Sequence, residues 1–215
     1  MGLRTVEFTL DEIADSLPDL GVAILHLLYA GGCSAVRGDV IFQKELFLIG
    51  DYIERIGEAA DFVPHIFGPY SEAAEVALGE LVSLGLVRKV EGGYTLTPDG
   101  VRVWEKVCSV FHTEESEAID DFKAFLNDLS VDEVLLFVYI NYPEYTHESA
   151  KLRDILKKRV PLSASLYRKG KVSLEKAAFL AGMNIESYLD WLCRDPLRAQ
   201  FFEGREIPMR NGAPF

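Results

Sequence analysis

Nine lysines and arginines crowd into the 26 residues from Lys151 to Lys176, against two acids, Asp154 and Glu175. A local charge of +7 suits a phosphate backbone, because cations that displace condensed counterions supply much of the affinity for a duplex. Lys157, Lys158, Arg159, Arg168, Lys169 and Lys171 are the candidates to hold phosphate, and Arg88 and Lys89 form a second, smaller basic site. Base edges need side chains that donate and accept hydrogen bonds. Asn184 and Ser187 are the candidates of that kind, but Glu186 and Asp190 share their helix. A second candidate reading helix carries Glu72, Glu75 and Glu80. Carboxylates have the wrong sign for a groove. An alternative therefore stays open, in which the bases meet the acidic stretch 114–121 of this chain or of a partner.

Catalysis finds less to work with. His26 lies within an apolar run and reads as a core residue. His65 stands before a Gly-Pro turn, near Asp61 and Tyr70. Cys108 and His112 are one helical turn apart, a spacing that suits a metal, yet no further ligands follow at matching intervals. Ser71 reads as a helix cap rather than a nucleophile. Neither GxSxG, a P-loop, GxGxxG nor HExxH occurs. The expectation is a binding protein, not an enzyme, with no metal and no cofactor.

Composition narrows the class. Of 215 residues, 49% are hydrophobic and 26% charged, the balance of a globular chain, and the formal charge is −12. That charge is uneven: residues 1–150 hold nine basic and 27 acidic side chains, residues 151–215 thirteen and seven. The three cysteines are dispersed and odd in number, which fits a reducing compartment. The N-terminal stretch is acidic where a secretion signal is basic, and Val6 replaces the Ser or Thr of a myristoylation motif. No apolar run approaches the ~18 residues of a membrane span. A cytoplasmic protein is expected.

The elements that must position these residues are mostly helical. Thr9 precedes the short helix "LDEIADSL", Pro18 opens an apolar helix that stops at Gly31-Gly32, and Asp39 caps a helix expected to run to Gly57. Gly68-Pro69 breaks the chain, Ser71 caps "EAAEVALGELVSLG", and "LVRKV" and "YTLT" flank Glu91-Gly92-Gly93 as a hairpin. A helix follows Pro98. Three helices and then a hairpin give a winged helix-turn-helix domain over 1–112. Further helices form a bridge over 113–160, the last expected to start at Thr146 and end before Pro161. Residues 161–203 make a C-terminal helix-turn-helix, in which Ser173 caps one helix, Gly182 turns left-handed and Asn184 caps the next. Residues 204–215 are a loose tail. The fold class is mainly α, with a small β-hairpin wing.

Two segments resemble known families. "SASLYRKGKVSLEKAAFLAGMNIESYLDWL" (163–192), with Leu166-Tyr167, Lys169-Gly170-Lys171, Ser173-Leu174, Ala177-Ala178 and Ala181-Gly182, resembles a small prokaryotic antitoxin-like helix-turn-helix family. "FQKELFLIG" (42–50) and "FVPHIFGPYSEAAEVALGELVSLGLV" (62–87) look like prokaryotic winged-helix proteins of the YwgA-like and Panacea (SocA-like antitoxin) type. These likenesses imply helix-turn-helix units and a regulatory or antitoxin role. Joined to the basic cluster, they make the leading expectation a DNA-associated regulator of transcription-regulator or antitoxin type, with duplex DNA as partner through 151–176. The alternative function is an acidic protein-interaction module that binds a basic partner such as a toxin, without DNA. Tyr142 and Tyr145, read as exposed aromatics, and the alanine-rich faces make a homodimer plausible.

Overall fold

The computed structural model describes residues 9–194. Among them are twelve α-helices and one two-stranded antiparallel sheet, so the chain is mainly helical. It divides into two compact units, with the boundary after Leu156.

The first unit is built around α2 (Asp19–Cys33) and α3 (Gly38–Tyr52). Nearly every residue of α2 from Leu20 to Leu28 is buried, which is why that stretch is apolar on all sides. Each such Leu or Ile contributes roughly 1.5–3 kcal/mol over an exposed position. α1 (Leu10–Ser16) begins at a capping box in which Thr9 and Glu12 satisfy each other's backbone amides. α2 ends where Ala30 turns extended and Gly31 and Gly32 turn left-handed, as the paired glycines lead one to expect. Asp39 does not cap α3; it lies in the first turn and accepts a 2.6 Å hydrogen bond from the Tyr94 hydroxyl.

The helix expected to run to Gly57 is two helices. It breaks at Ile53, and α4 (Glu54–Ala60) folds back on α3. Gly57 is needed for that return: a Cβ there would lie 2.4 Å from the Gly50 carbonyl oxygen. α5 (Glu72–Ser83) leads into the hairpin of β1 (Val87–Val90) and β2 (Gly93–Leu96), with Val87 opposite Leu96 and Val90 opposite Gly93. The tight turn places Gly92 at φ +81°. α6 (Pro98–Val107) starts with proline in its first turn behind a Thr97 cap.

α7 (Thr113–Leu126) packs on α2 and α3, and α8 (Val131–Asn141) packs on α3. These helices of the expected bridge thus complete the core of the first unit. Residues 146–160 also differ from the helix expected there. α9 (Leu152–Lys157) is short, and α10 (Arg159–Arg168) carries Pro161 in its own first turn, where a missing amide hydrogen costs nothing. Tyr142 and Tyr145, expected to be exposed, are half-buried on Phe47, with ring centroids at 4.8 and 5.0 Å.

In the second unit α10, α11 (Leu174–Ala181) and α12 (Ile185–Arg194) enclose Ala177, Ala178, Ala181 and Tyr188. The Tyr188 ring is fully buried, and its hydroxyl meets the Ser163 hydroxyl at 3.1 Å. Among the described residues no single helix is long and apolar enough to cross a membrane.

Candidate binding surfaces

The start of α5 is held from behind by α3. The Gln43 amide donates to the Ser71 carbonyl at 3.0 Å and accepts from the Ser71 amide at 2.9 Å, as a neighbouring strand would. The Lys44 ammonium donates to the Pro69 carbonyl at 2.6 Å. The Ser71 hydroxyl accepts from the Ala74 amide and donates to the Ala60 carbonyl. Gly68 sits at φ +82° against the ring of Tyr139, 2.7 Å from where a Cβ would stand. The Gln-Lys and Gly-Pro-Tyr-Ser steps, 25 residues apart, are thus two halves of one clamp. Burial pushes the Lys44 amine down to about 7.

What the clamp presents is the outward face of α5. Ala74, Ala77, Leu78 and Leu81 point inward at helical spacing. Glu72, Glu75, Val76, Gly79, Glu80 and Ser83 point out. Val76 is 55% exposed and Leu84, just past the helix, 40%. Val76, Gly79, Glu80, Ser83 and Leu84 line one shallow, open depression. Gly79 has a helical backbone, and among the described residues nothing lies within 4 Å of where its Cβ would stand. A glycine there costs the helix about 1 kcal/mol relative to alanine, with no internal packing in return. Tyr70 donates its hydroxyl to Glu75, which pushes the phenol up to about 12, and stacks on His65 with centroids 4.6 Å apart.

Arg88 and Lys89 are neighbours on β1, so their side chains leave opposite faces of the hairpin. Both are exposed, and the Lys89 ammonium lies 5.5 Å from the Tyr94 ring centroid.

In the second unit the structure separates the basic candidates. The Arg159 guanidinium donates from Nε to the Leu180 carbonyl at 2.8 Å and from Nη2 to the Phe179 carbonyl at 3.3 Å. It therefore closes the C-terminal end of α11, where a cation complements the helix dipole. Gly182 is required by its left-handed backbone, φ +69°, and a Cβ there would also displace that guanidinium, which lies 2.5 Å from where it would stand. Lys157, Lys158, Arg168 and Lys169 are exposed, and Lys171 is half-buried. Asn184 caps α12, its side-chain oxygen accepting from the Ser187 amide at 2.8 Å. The neighbouring exposed positions are Ile185, Glu186, Leu189 and Asp190. Arg159 and Asn184, read from sequence as ligand-binding residues, are thus engaged with the protein's own backbone.

Buried charge in the first unit went unread in the sequence. Lys123 is almost wholly buried and donates to the carbonyls of Leu27 at 2.8 Å, Leu28 at 3.4 Å and Ser34 at 2.7 Å, where α2 unwinds. Burial brings its amine down to about 8, opposed by the carboxylates of Glu45 and Asp120 and by Cys33. Glu45 is fully buried, without a hydrogen bond to either carboxyl oxygen among the described residues. Burial raises its carboxyl to about 8, against the pull of Lys123 and Arg37. Arg37 in turn donates to the Leu129 carbonyl. His26 is buried between Trp104 and Phe111, each ring centroid 5.6 Å away, and burial lowers its imidazole. On the acidic α7, Glu115 pairs with Arg55, which also reaches Asp19 at 3.2 Å.

Comparison with protein-family models, curated proteins and solved structures finds no match for this chain.

Proposed function

We propose that the chain is a regulatory protein of antitoxin type that acts by binding, and that its principal partner is a protein with a basic surface. In this reading the first unit is a winged helix-turn-helix in which α5 takes the place of the reading helix and β1–β2 form the wing. α11 and α12 form a second helix-turn-helix. One observation carries the choice of partner: α5 turns Glu72, Glu75 and Glu80 outward beside bare Val76 and Leu84. Those carboxylates oppose a phosphate backbone and favour a cationic surface. The apolar side chains supply the desolvated centre that protein interfaces require.

The experiment is co-expression with the product of the reading frame adjacent to its own, followed by gel filtration at low and high salt. A complex that survives purification and weakens with salt is expected. Separate elution at both salt concentrations would overturn the reading. A second reading, DNA association, draws on the exposed Lys157, Lys158, Arg168 and Lys169. It is tested by titrating duplex DNA from the upstream region against the chain and a Lys157→Ala/Lys158→Ala variant. Salt-sensitive binding that the variant loses would promote it; equal, negligible binding would remove it.

A further inference from the structure

We infer that the outward face of α5, from Glu72 to Leu84, is the docking site for a basic amphipathic helix whose apolar ridge seats over Gly79. The inference rests on the protein-binding reading and deepens it by naming the surface and the chemistry of its occupant.

The argument begins with the glycine. Elsewhere in the first unit, close-packed glycines answer to a neighbour: Gly50 faces Gly57, Gly93 faces Val36, and Gly100 faces Leu86. Gly79 faces open space in the middle of a helix. A position that weakens its own helix and touches nothing inside is explained by something outside that must approach the backbone closely. Val76, Gly79 and Ser83 follow one another at three- and four-residue steps, so they form a single shallow row along the helix. The exposed Val76 and Leu84 lie at either end of the depression. A ridge of partner side chains at the same helical spacing fits such a row, as in other helix-in-groove complexes.

Charge selects among occupants. From Glu72 to Leu84 there are three glutamates and no basic residue. Glu80 borders the depression, Glu75 immediately precedes Val76 at its start, and Glu72 lies one turn before Val76. A second copy of this face would set like charges against each other. A helix with lysines and arginines flanking its apolar ridge would pair with all three, and steering by their field would speed its arrival. The clamp of Gln43 and Lys44 on residues 69–71 fixes the start of the helix before any partner arrives. A preorganised surface loses less entropy on docking.

The test uses the full chain and a labelled peptide with leucines at helical spacing and lysines elsewhere, beside a scrambled isomer of the same composition, read by fluorescence anisotropy. The helical isomer is expected to bind about tenfold or more tightly than the scrambled one. Gly79→Gln is the informative variant, because glutamine is the better helix former and fills the notch. It should raise Tm while weakening the peptide by about tenfold or more. Glu72→Gln/Glu75→Gln/Glu80→Gln should weaken it further and flatten its salt dependence. Unchanged affinity in Gly79→Gln, or equal binding of the two isomers, would overturn the proposal. So would sedimentation of the free chain as a dimer that Gly79→Gln splits, since the face would then belong to a second copy. If the peptide fails while the complex with the adjacent gene product persists, the docking site is wrong and the protein-binding reading stands; if both fail, the reading itself falls.

Discussion

The two units solve one problem with different cations. In each, a helix end must have its carbonyls satisfied next to a left-handed turn. The first unit inserts the buried Lys123 at the unwinding of α2, and sets a second buried lysine, Lys44, on the loop carbonyl of Pro69 ahead of α5. The second places the half-buried Arg159 at the end of α11. Desolvation brings the two lysines down towards neutrality, and one of them shares its surroundings with the buried Glu45. A guanidinium stays charged under all ordinary conditions and is more weakly hydrated than an ammonium. The difference teaches that a basic residue in a motif-like stretch can belong to the backbone rather than to a ligand. It also implies that the stability of the first unit depends on pH through these buried groups.

The largest effect should come from Lys123→Met, which leaves the carbonyls of Leu27, Leu28 and Ser34 without their donor. A loss of about 3 kcal/mol in urea unfolding is expected, as for other buried polar groups left unsatisfied. Arg159→Met in the second unit should cost only about 1 kcal/mol, since water can reach those carbonyls. Equal losses would break the contrast.

pH sharpens it. Glu45 is raised from 4.5 to about 8, so between those values the folded chain holds a proton that the unfolded chain releases, and stability falls as pH rises. Lys44 is lowered from 10.5 to about 7 and Lys123 from 10.5 to about 8, so between those values the unfolded chain holds the extra protons, and stability rises with pH. A trough is therefore expected between about pH 7 and 8, with limbs no steeper than about 1.4 kcal/mol per pH unit for each group. Glu45→Gln should flatten the acid-side limb and leave the alkaline one. An unchanged profile would refute the assignment.

Gly182→Ala comes next, with an expected loss of about 1–2 kcal/mol for the left-handed backbone and a further loss from displacing Arg159. Removing Arg159 first should relieve the clash and leave only the backbone share, so the double variant tests whether the two residues act together. Smallest of all, Lys157→Ala/Lys158→Ala should alter stability by less than about 0.5 kcal/mol, as exposed substitutions do.

Caps and breakers were legible in the sequence because their chemistry is local. Ser71, Ser173 and Asn184 all accept from the amides expected of them. What sequence spacing could not show was long-range use. Gln43 and Lys44 grip a loop 25 to 28 residues away, and Lys123 reaches α2 across 95 or more. The break at Ile53 escaped because an unbroken apolar period ran through it, while the close approach of Gly50 and Gly57 that permits the return is a contact across the turn. Pro161 misled for the opposite reason: proline stops a helix interior but suits a first turn. The docking face of α5 was half-visible. Its glutamates were read as an objection to DNA, whereas Gly79 in an otherwise strong helix sequence was the signal for something that binds there.

Hydrogen exchange on the chain mixed with the product of the adjacent reading frame, beside the chain alone, tests the account most directly. Slower exchange is expected across Glu72–Ser83, with that protection lost in Gly79→Gln. Protection confined to residues 157–171, with α5 exchanging as in the free chain, would contradict it.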